Sequence, residues 1–155
     1  MTEERWWVRP ATMEDLDDLV AWNQAMAVET EERRLDPAIL RRGIEPLIHD
    51  RSLGHYFVVE NGDRRTFGCL AVTTEWSDWR AGLFWWIQSV YIHPDARRSG
   101  AFAALYRHVE RLARAEPEVI GLRLYVERDN ERAMATYRRL GMNETDYRLY
   151  EVEFD

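Results

Sequence analysis

Lysine is absent from this chain of 155 residues; all 21 basic side chains are arginine. That excludes Schiff-base chemistry, a lysine general base and the nucleotide phosphate loop that depends on a lysine. Cysteine is almost absent. Cys69 stands alone in the apolar run FGCLAV, so no intrachain disulfide can form, and a small buried hydrophobe is expected there. Histidine is scarce, and His49, His55, His93 and His108 are scattered without metal-ligand spacing, so no metal is expected. No apolar run nears the roughly 18 residues that cross a bilayer, so no membrane partner is expected. The opening residues, MTEERWW, lack the apolar core of a secretory leader, which leads to the expectation of a soluble, cytoplasmic protein. The formal charge is -7, which argues against nucleic acid as a partner.

What is present fits one globular domain, residues 1–155, with 46% apolar residues to build a core. WWVRP reads as a short strand stopped by Pro10. Thr12 and Asp15 form a capping pair ahead of a helix carrying Leu16, Leu19, Val20 and Ala27. VETEERR reads as a charged loop. A second helix starts at Pro37 with Asp36 as its cap. HYFVVE and TFGCLAVTTE are strands joined by NGDRR, whose Asn61-Gly62 pair signals a hairpin. LFWWIQSVYI is the next strand, followed by a helix presenting Phe102, Leu105, Val109 and Leu112. VIGLRLYVE alternates with Ile120, Leu122, Leu124 and Val126 on one side. NERAMATYRRLG is a helix ending at Gly141, and TDYRLYEVEF is a final strand. The expected order is β-α-α-β-β-β-α-β-α-β, an α/β fold with a mixed sheet.

The richest stretch is HPDARRSGAFAALYRHVERLA, residues 93–113. It places Arg97, Arg98 and Gly100 where a strand hands over to a helix. A helix N-terminus exposes unpaired N–H groups and partial positive charge, and a glycine lets a ligand approach the backbone. Together these make a pyrophosphate site. On these residues alone, a solvated loop holding two arginines is an equal reading.

VYIHPDARRSGAFAALYRHV resembles the acyl-CoA-binding motif of the GNAT superfamily of N-acyltransferases. Arg97 and Gly100 match its first two fixed positions, and Phe102 stands where a small residue is usual. LYVERDNERAMATYRRLGM resembles the family's later motif, with Asn130 opening a helix, Ala133 and Tyr137 following, and Gly141-Met142 closing it. The element order matches the family along essentially the whole chain.

The resemblance implies a GNAT-like fold with splayed central strands, and acetyl-CoA as co-substrate. The pantetheine arm would lie along the splayed strand at Val90, Tyr91 and Ile92. Arg97, Arg98, Ser99, Gly100, Ala101 and Phe102 would hold the pyrophosphate, mostly through backbone N–H groups. Gln88-Ser89, a polar interruption of an apolar strand, suits a bulge or a splay. Tyr137 matches the usual general acid, and Asn130 would bond the pantetheine arm or cap its helix.

An amine attacking a thioester must lose a proton, and Glu75 is the expected base, with Asp78 behind it. Trp76, Trp79, Trp85 and Trp86 are close in sequence and could desolvate a carboxylate or hold a cationic amine. Glu29, Trp76, Asp78 and Gln88 are the expected acceptor-side residues, with Glu31 and Glu32 near Glu29. The expected activity is transfer of an acetyl group to a primary amine, of a small molecule in preference to a protein. A non-catalytic acyl-CoA sensor or interaction module is the alternative reading. The aromatic content points to a possible homodimer.

Overall fold

The computed structural model describes residues 5–155, which form two compact units, one ending at Leu124 and one running from Tyr125 to Asp155. The first unit contains β1 (Trp7–Pro10), α1 (Leu16–Glu31), α2 (Pro37–His49), β2 (Gly54–Glu60), β3 (Thr66–Ser77), β4 (Gly82–Ile92), α3 (Ala101–Ala115) and β5 (Val119–Arg123). The second contains α4 (Glu131–Arg139). The five strands form one mixed sheet in the order β1-β2-β3-β4-β5. The first four pair antiparallel and β5 lies parallel to β4, with α3 as the crossover.

Alternation along the strands sends side chains to two helical layers. Tyr56, Val58, Cys69, Ala71 and Tyr91 pack on Leu16, Leu19, Val20 and Ile44 of α1 and α2. Phe57 points the other way, to His108 of α3, their rings 5.2 Å apart. α3 buries Leu105 and Val109 completely. One polar pair sits inside the first layer, where buried Asn23 donates from Nδ2 to Tyr56 Oη at 2.8 Å and to Leu19 O at 2.8 Å. Burial pushes the Cys69 thiol up to about 12, the state of a packed hydrophobe.

Local signals explain the helix starts. Thr12 N–H donates to Asp15 Oδ2 at 2.8 Å, and Arg9 grips the same carboxylate with both terminal nitrogens. Asp36 accepts from Ala38 N–H at 2.8 Å, with Pro37 at the first helical position.

Three expectations need correction. The charged stretch from Val28 to Glu31 is the last turns of α1, not loop; the helix stops at Glu32, whose φ is 51°. Glu29 and Glu31 are therefore helical. β5 ends at Arg123, short of the alternation that continues to Val126, because its ladder with β4 ends there. Within the second unit, residues 142–155 carry no strand, although their pattern suits one. A strand exists only through a hydrogen-bonded neighbour, and none is supplied in this unit.

Candidate active site

β4 is bonded on both sides for only part of its length. It pairs with β3 from Gly82 opposite Ser77 to Ile92 opposite Gly68. It pairs with β5 only at Leu83, Phe84, Trp85 and Trp86. The ladder ends at Trp86 opposite Arg123, the last residue of β5. The register with β3 slips at the same place: Ala71 faces Ser89 and Val72 faces Ile87, leaving Gln88 as the extra residue of a bulge. Gln88 Nε2 donates to Thr73 Oγ1 at 3.2 Å.

The bulge sets which backbone groups face the opening. His93 N–H donates to Phe67 O at 2.7 Å. Hydrogen-bonded residues alternate along an antiparallel ladder, so Tyr91 and Ser89 also turn their backbone toward β3. Val90 and Ile92 turn theirs to the side away from β3. The Tyr91 ring lies on α1, stacked on Trp22 with centroids 6.1 Å apart.

The bend after β4 is a tight cradle. Pro94–Ala96 makes one 3-10 turn, with His93 Nδ1 accepting from Asp95 N–H at 3.2 Å. Arg98 and Gly100 have φ of 62° and 91°. The second value is glycine territory. Gly100 O accepts from Ala104 N–H at 3.0 Å, and the helix itself offers no acceptor to the N–H groups of its first turn. Trp6 Nε1 donates to Ser99 O at 3.0 Å. Because the peptide is planar and trans, holding that carbonyl on one side aims the Gly100 N–H to the other. A Cβ added at Gly100 would find nothing nearer than Trp6 Cδ1 at 4.0 Å. Bare backbone, a helix N-terminus and open space above it fit a coenzyme A diphosphate.

Arg97 is committed elsewhere. Its Nε donates to Ile92 O at 2.9 Å, its terminal nitrogen pairs with Glu29 Oε2 at 2.8 Å, and its guanidinium lies 5.7 Å from the Tyr91 ring centroid. Arg97 thus fastens the bend to β4 and to the last turn of α1. Arg98 is exposed at the bend, Ala101 is buried, and half-buried Phe102 sets its ring 6.3 Å from Tyr106.

In the second unit, Asn130 caps α4 by accepting from Ala133 N–H at 3.1 Å. Tyr137 lies two helical turns on and is half-buried. Burial raises its phenol above the ordinary 10, so the group keeps its proton at neutral pH.

Glu75 and the tryptophans do not form the pocket that their closeness in sequence suggested. Glu75 faces Phe84, six residues before Val90, which sets it roughly 20 Å along the strand from that residue. Its Oε1 accepts from Arg123 at 2.6 Å, and the Arg123 guanidinium lies 3.6 Å from the Phe84 ring centroid. Trp76, next along β3, projects to the opposite face and is 60% exposed, and Trp79 is 85% exposed. Trp85 is buried against His55. Asp78, in the hairpin turn, accepts from Trp79 N–H at 2.9 Å. Sequence reasoning missed Trp6 and Arg123, whose partners lie 93 and 48 residues away, beyond the reach of any local pattern.

The model of the acetyltransferase (GNAT) family matches residues 13–142. The chain belongs to the GNAT acetyltransferase family. Among solved structures, this GNAT chain is similar to a possible acetyltransferase from Clostridium difficile 630, at 39% identity and a TM-score of 0.90, over 98% of this chain and 99% of the other. The fold is shared with an aminoglycoside antibiotic 6'-N-acetyltransferase from Acinetobacter baumannii, at 16% identity and a TM-score of 0.75, over 97% and 99% of the two chains. It is also shared with an aminoglycoside N-acetyltransferase solved with CoA, at 11% identity and a TM-score of 0.79, over 97% and 95%. No protein with a curated description matches. Membership indicates acyl transfer as the general activity. Among the described residues, no helix is long and apolar enough to cross a membrane.

Proposed function

We propose that this GNAT protein is a cytoplasmic acetyl-CoA-dependent N-acetyltransferase acting on the primary amine of a small molecule, by direct attack in a ternary complex. The observation that carries the reading is the Gln88 bulge in β4, followed by the bare Gly100 cradle at the head of α3. Bound acetyl-CoA would supply an activated acyl group as a thioester. The N–H groups from Arg98 to Phe102 hold the diphosphate, assisted by Arg98, while Arg97 keeps the bend in place. Val90 and Ile92 present backbone groups to the pantetheine arm, and Tyr91 fixes that strand on α1. Val90 N–H donates to the thioester oxygen as negative charge gathers there. Tyr137, kept protonated by its burial, donates its proton to the departing sulfur. Asn130 orders the start of α4, and in this reading it also bonds the pantetheine arm.

Of the expected acceptor-side residues, Gln88 at the bulge lies nearest Val90, while Trp76 and Asp78 lie toward the far hairpin and Glu29 is paired with Arg97. Glu75, tied through Oε1 to Arg123 and roughly 20 Å along the strand from Val90, lies too far to take the amine's proton, which passes to water. That two similar folds are described as aminoglycoside N-acetyltransferases supports a small amine as acceptor.

The test is thiol release from acetyl-CoA against amines, amino acids, polyamines and peptides. Tyr137→Phe should lower kcat by about 100-fold, at the low end for a lost general acid, with coenzyme A affinity unchanged. Tight binding without consumption on any acceptor, with Tyr137→Phe changing nothing, would replace this reading with that of an acyl-CoA sensor.

A further inference from the structure

The row of β3 that packs on α1 and α2 runs on past the bulge toward the surface. Cys69 and Ala71 are buried in that layer, Thr73 and Glu75 are half-buried, and Gln88, bonded to Thr73, is exposed. Alternate residues of a strand share a face, and so do directly paired ones. Phe84, opposite Glu75, therefore continues the same row.

Two arginines meet on the Phe84 ring. The guanidinium carbon of Arg123 lies 3.6 Å from the ring centroid and that of Arg80 lies 5.4 Å from it, so one carboxylate, with an oxygen for each, can reach both. Arg123 spends one terminal nitrogen on Glu75 Oε1 at 2.6 Å, and Arg80 spends one on Ser77 Oγ at 3.3 Å. Among the described residues these are the only side-chain acceptors that the two guanidinium groups have. Each guanidinium carries five N–H donors in a fixed fork, so most of them stay open to a ligand. In a chain of formal charge -7, two arginines against one carboxylate make a local positive site. Glu75 and the ring together hold the Arg123 fork in one orientation, which planar recognition of a carboxylate requires.

We propose that the acceptor carries a carboxylate as well as its amine, and that Arg123 and Arg80 take that carboxylate beside Phe84. Glu75 is then the positioning residue of Arg123. The inference rests on the reading of the protein as an acetyltransferase with Val90 at the thioester. Phe84 stands six residues before Val90, roughly 20 Å along the strand. Contacts at the two ends take up several Å each, which leaves about 10 Å between amine and carboxylate. An α-amino acid holds these groups on one carbon and cannot bridge that gap. Three extended residues, at up to about 3.3–3.6 Å each, can. The acceptor class is thus a short linear chain with an amine at one end and a carboxylate at the other.

The experiment measures thiol release from acetyl-CoA with triglycine, triglycinamide and glycine, alongside calorimetry of triglycine with coenzyme A present. Triglycine should exceed its amide in kcat/KM by about tenfold or more, chiefly through KM, the low end for a charged group that loses its partner. Glycine should be poor. Arg80→Gln, at an exposed turn position, should bring triglycine down to the level of the amide. Arg123→Lys, which keeps the charge beside Glu75 and loses the fork, should do the same. Glu75→Gln should raise KM for triglycine about fivefold rather than lower kcat, as loss of a base would. Equal transfer to triglycine and its amide, or a preference that survives Arg80→Gln, would overturn the carboxylate site and leave the transferase reading standing. Transfer to no acceptor, with triglycine still bound in calorimetry and its binding lost in Arg80→Gln, would support the site and overturn the transferase reading. Triglycine that neither binds nor reacts would overturn the site, and coenzyme A binding to the same protein would then show that the cofactor cradle stands without it.

Discussion

Replacing Gly100 by alanine separates ligand binding from folding, because the chain contains its own control. Gly100 and Gly141 both have φ of 91°. A Cβ at Gly100 meets nothing nearer than 4.0 Å, and at Gly141 nothing within 4 Å. Neither substitution clashes with protein, so each costs only the backbone strain of an L-residue in this region, about 1–2 kcal/mol. The two variants should therefore lose similar stability in urea. They should differ sharply toward coenzyme A. The methyl of Gly100→Ala occupies the space that a diphosphate needs to reach the amides of the bend. Losing one charge-assisted amide–phosphate bond costs about 1.5–3 kcal/mol. At 1.4 kcal/mol per factor of ten, that is a rise in Kd of roughly 10- to 150-fold. Gly141→Ala, at the end of α4, should leave Kd within about twofold of the wild type, a shift of under 0.5 kcal/mol. Isothermal calorimetry with coenzyme A reads the difference directly. If Gly100→Ala binds as the wild type does, or if Gly141→Ala loses as much, the cradle is not the diphosphate site.

Trp6→Phe removes the donor that holds the Ser99 carbonyl, a bond worth about 1 kcal/mol, so KM for acetyl-CoA should rise about fivefold with kcat nearly unchanged; an unaltered KM would mean that the bend holds its shape without Trp6. Tyr56→Phe leaves the buried Asn23 amide short of an acceptor and should cost about 1–3 kcal/mol in denaturant unfolding, whereas a loss within error would show that Asn23 finds another partner. Acid should weaken the fold through His55 and His108. Both titrate below the ordinary 6.5, chiefly because burial disfavours the charged ring, with Arg51 adding to this at His55 and Arg111 at His108. The unfolded chain takes up these protons first. Stability is therefore full above pH 6.5 and falls as the pH drops below it toward the lower folded values. Tm should decline less over that interval in His55→Gln with His108→Gln than in the wild type, and equal slopes would contradict the assignment.

The parts of the site legible in the sequence are those whose physics is local. A glycine must sit where φ reaches 91° at the head of α3, and Gln88-Ser89 interrupts an apolar strand because a bulge stands there. Asn130 and Asp36 announce helix starts because a cap bonds a residue two or three positions away. Interactions that close over long sequence distance leave no such trace. Nothing near Trp6 marks it as the clamp on Ser99, and nothing near Glu75 shows that an arginine 48 residues on will occupy it. The tryptophans around Glu75 illustrate the converse error. Closeness in sequence is not closeness in space: neighbours on a strand face opposite sides, so Trp76 cannot wall the carboxylate beside it. The segment at 145–154 carries the same lesson further. Its alternation states that one face wants covering, and that is all a period of two can state. Which edge covers it is set by backbone groups elsewhere. A strand is thus legible as a demand, and becomes structure only where a backbone edge meets it.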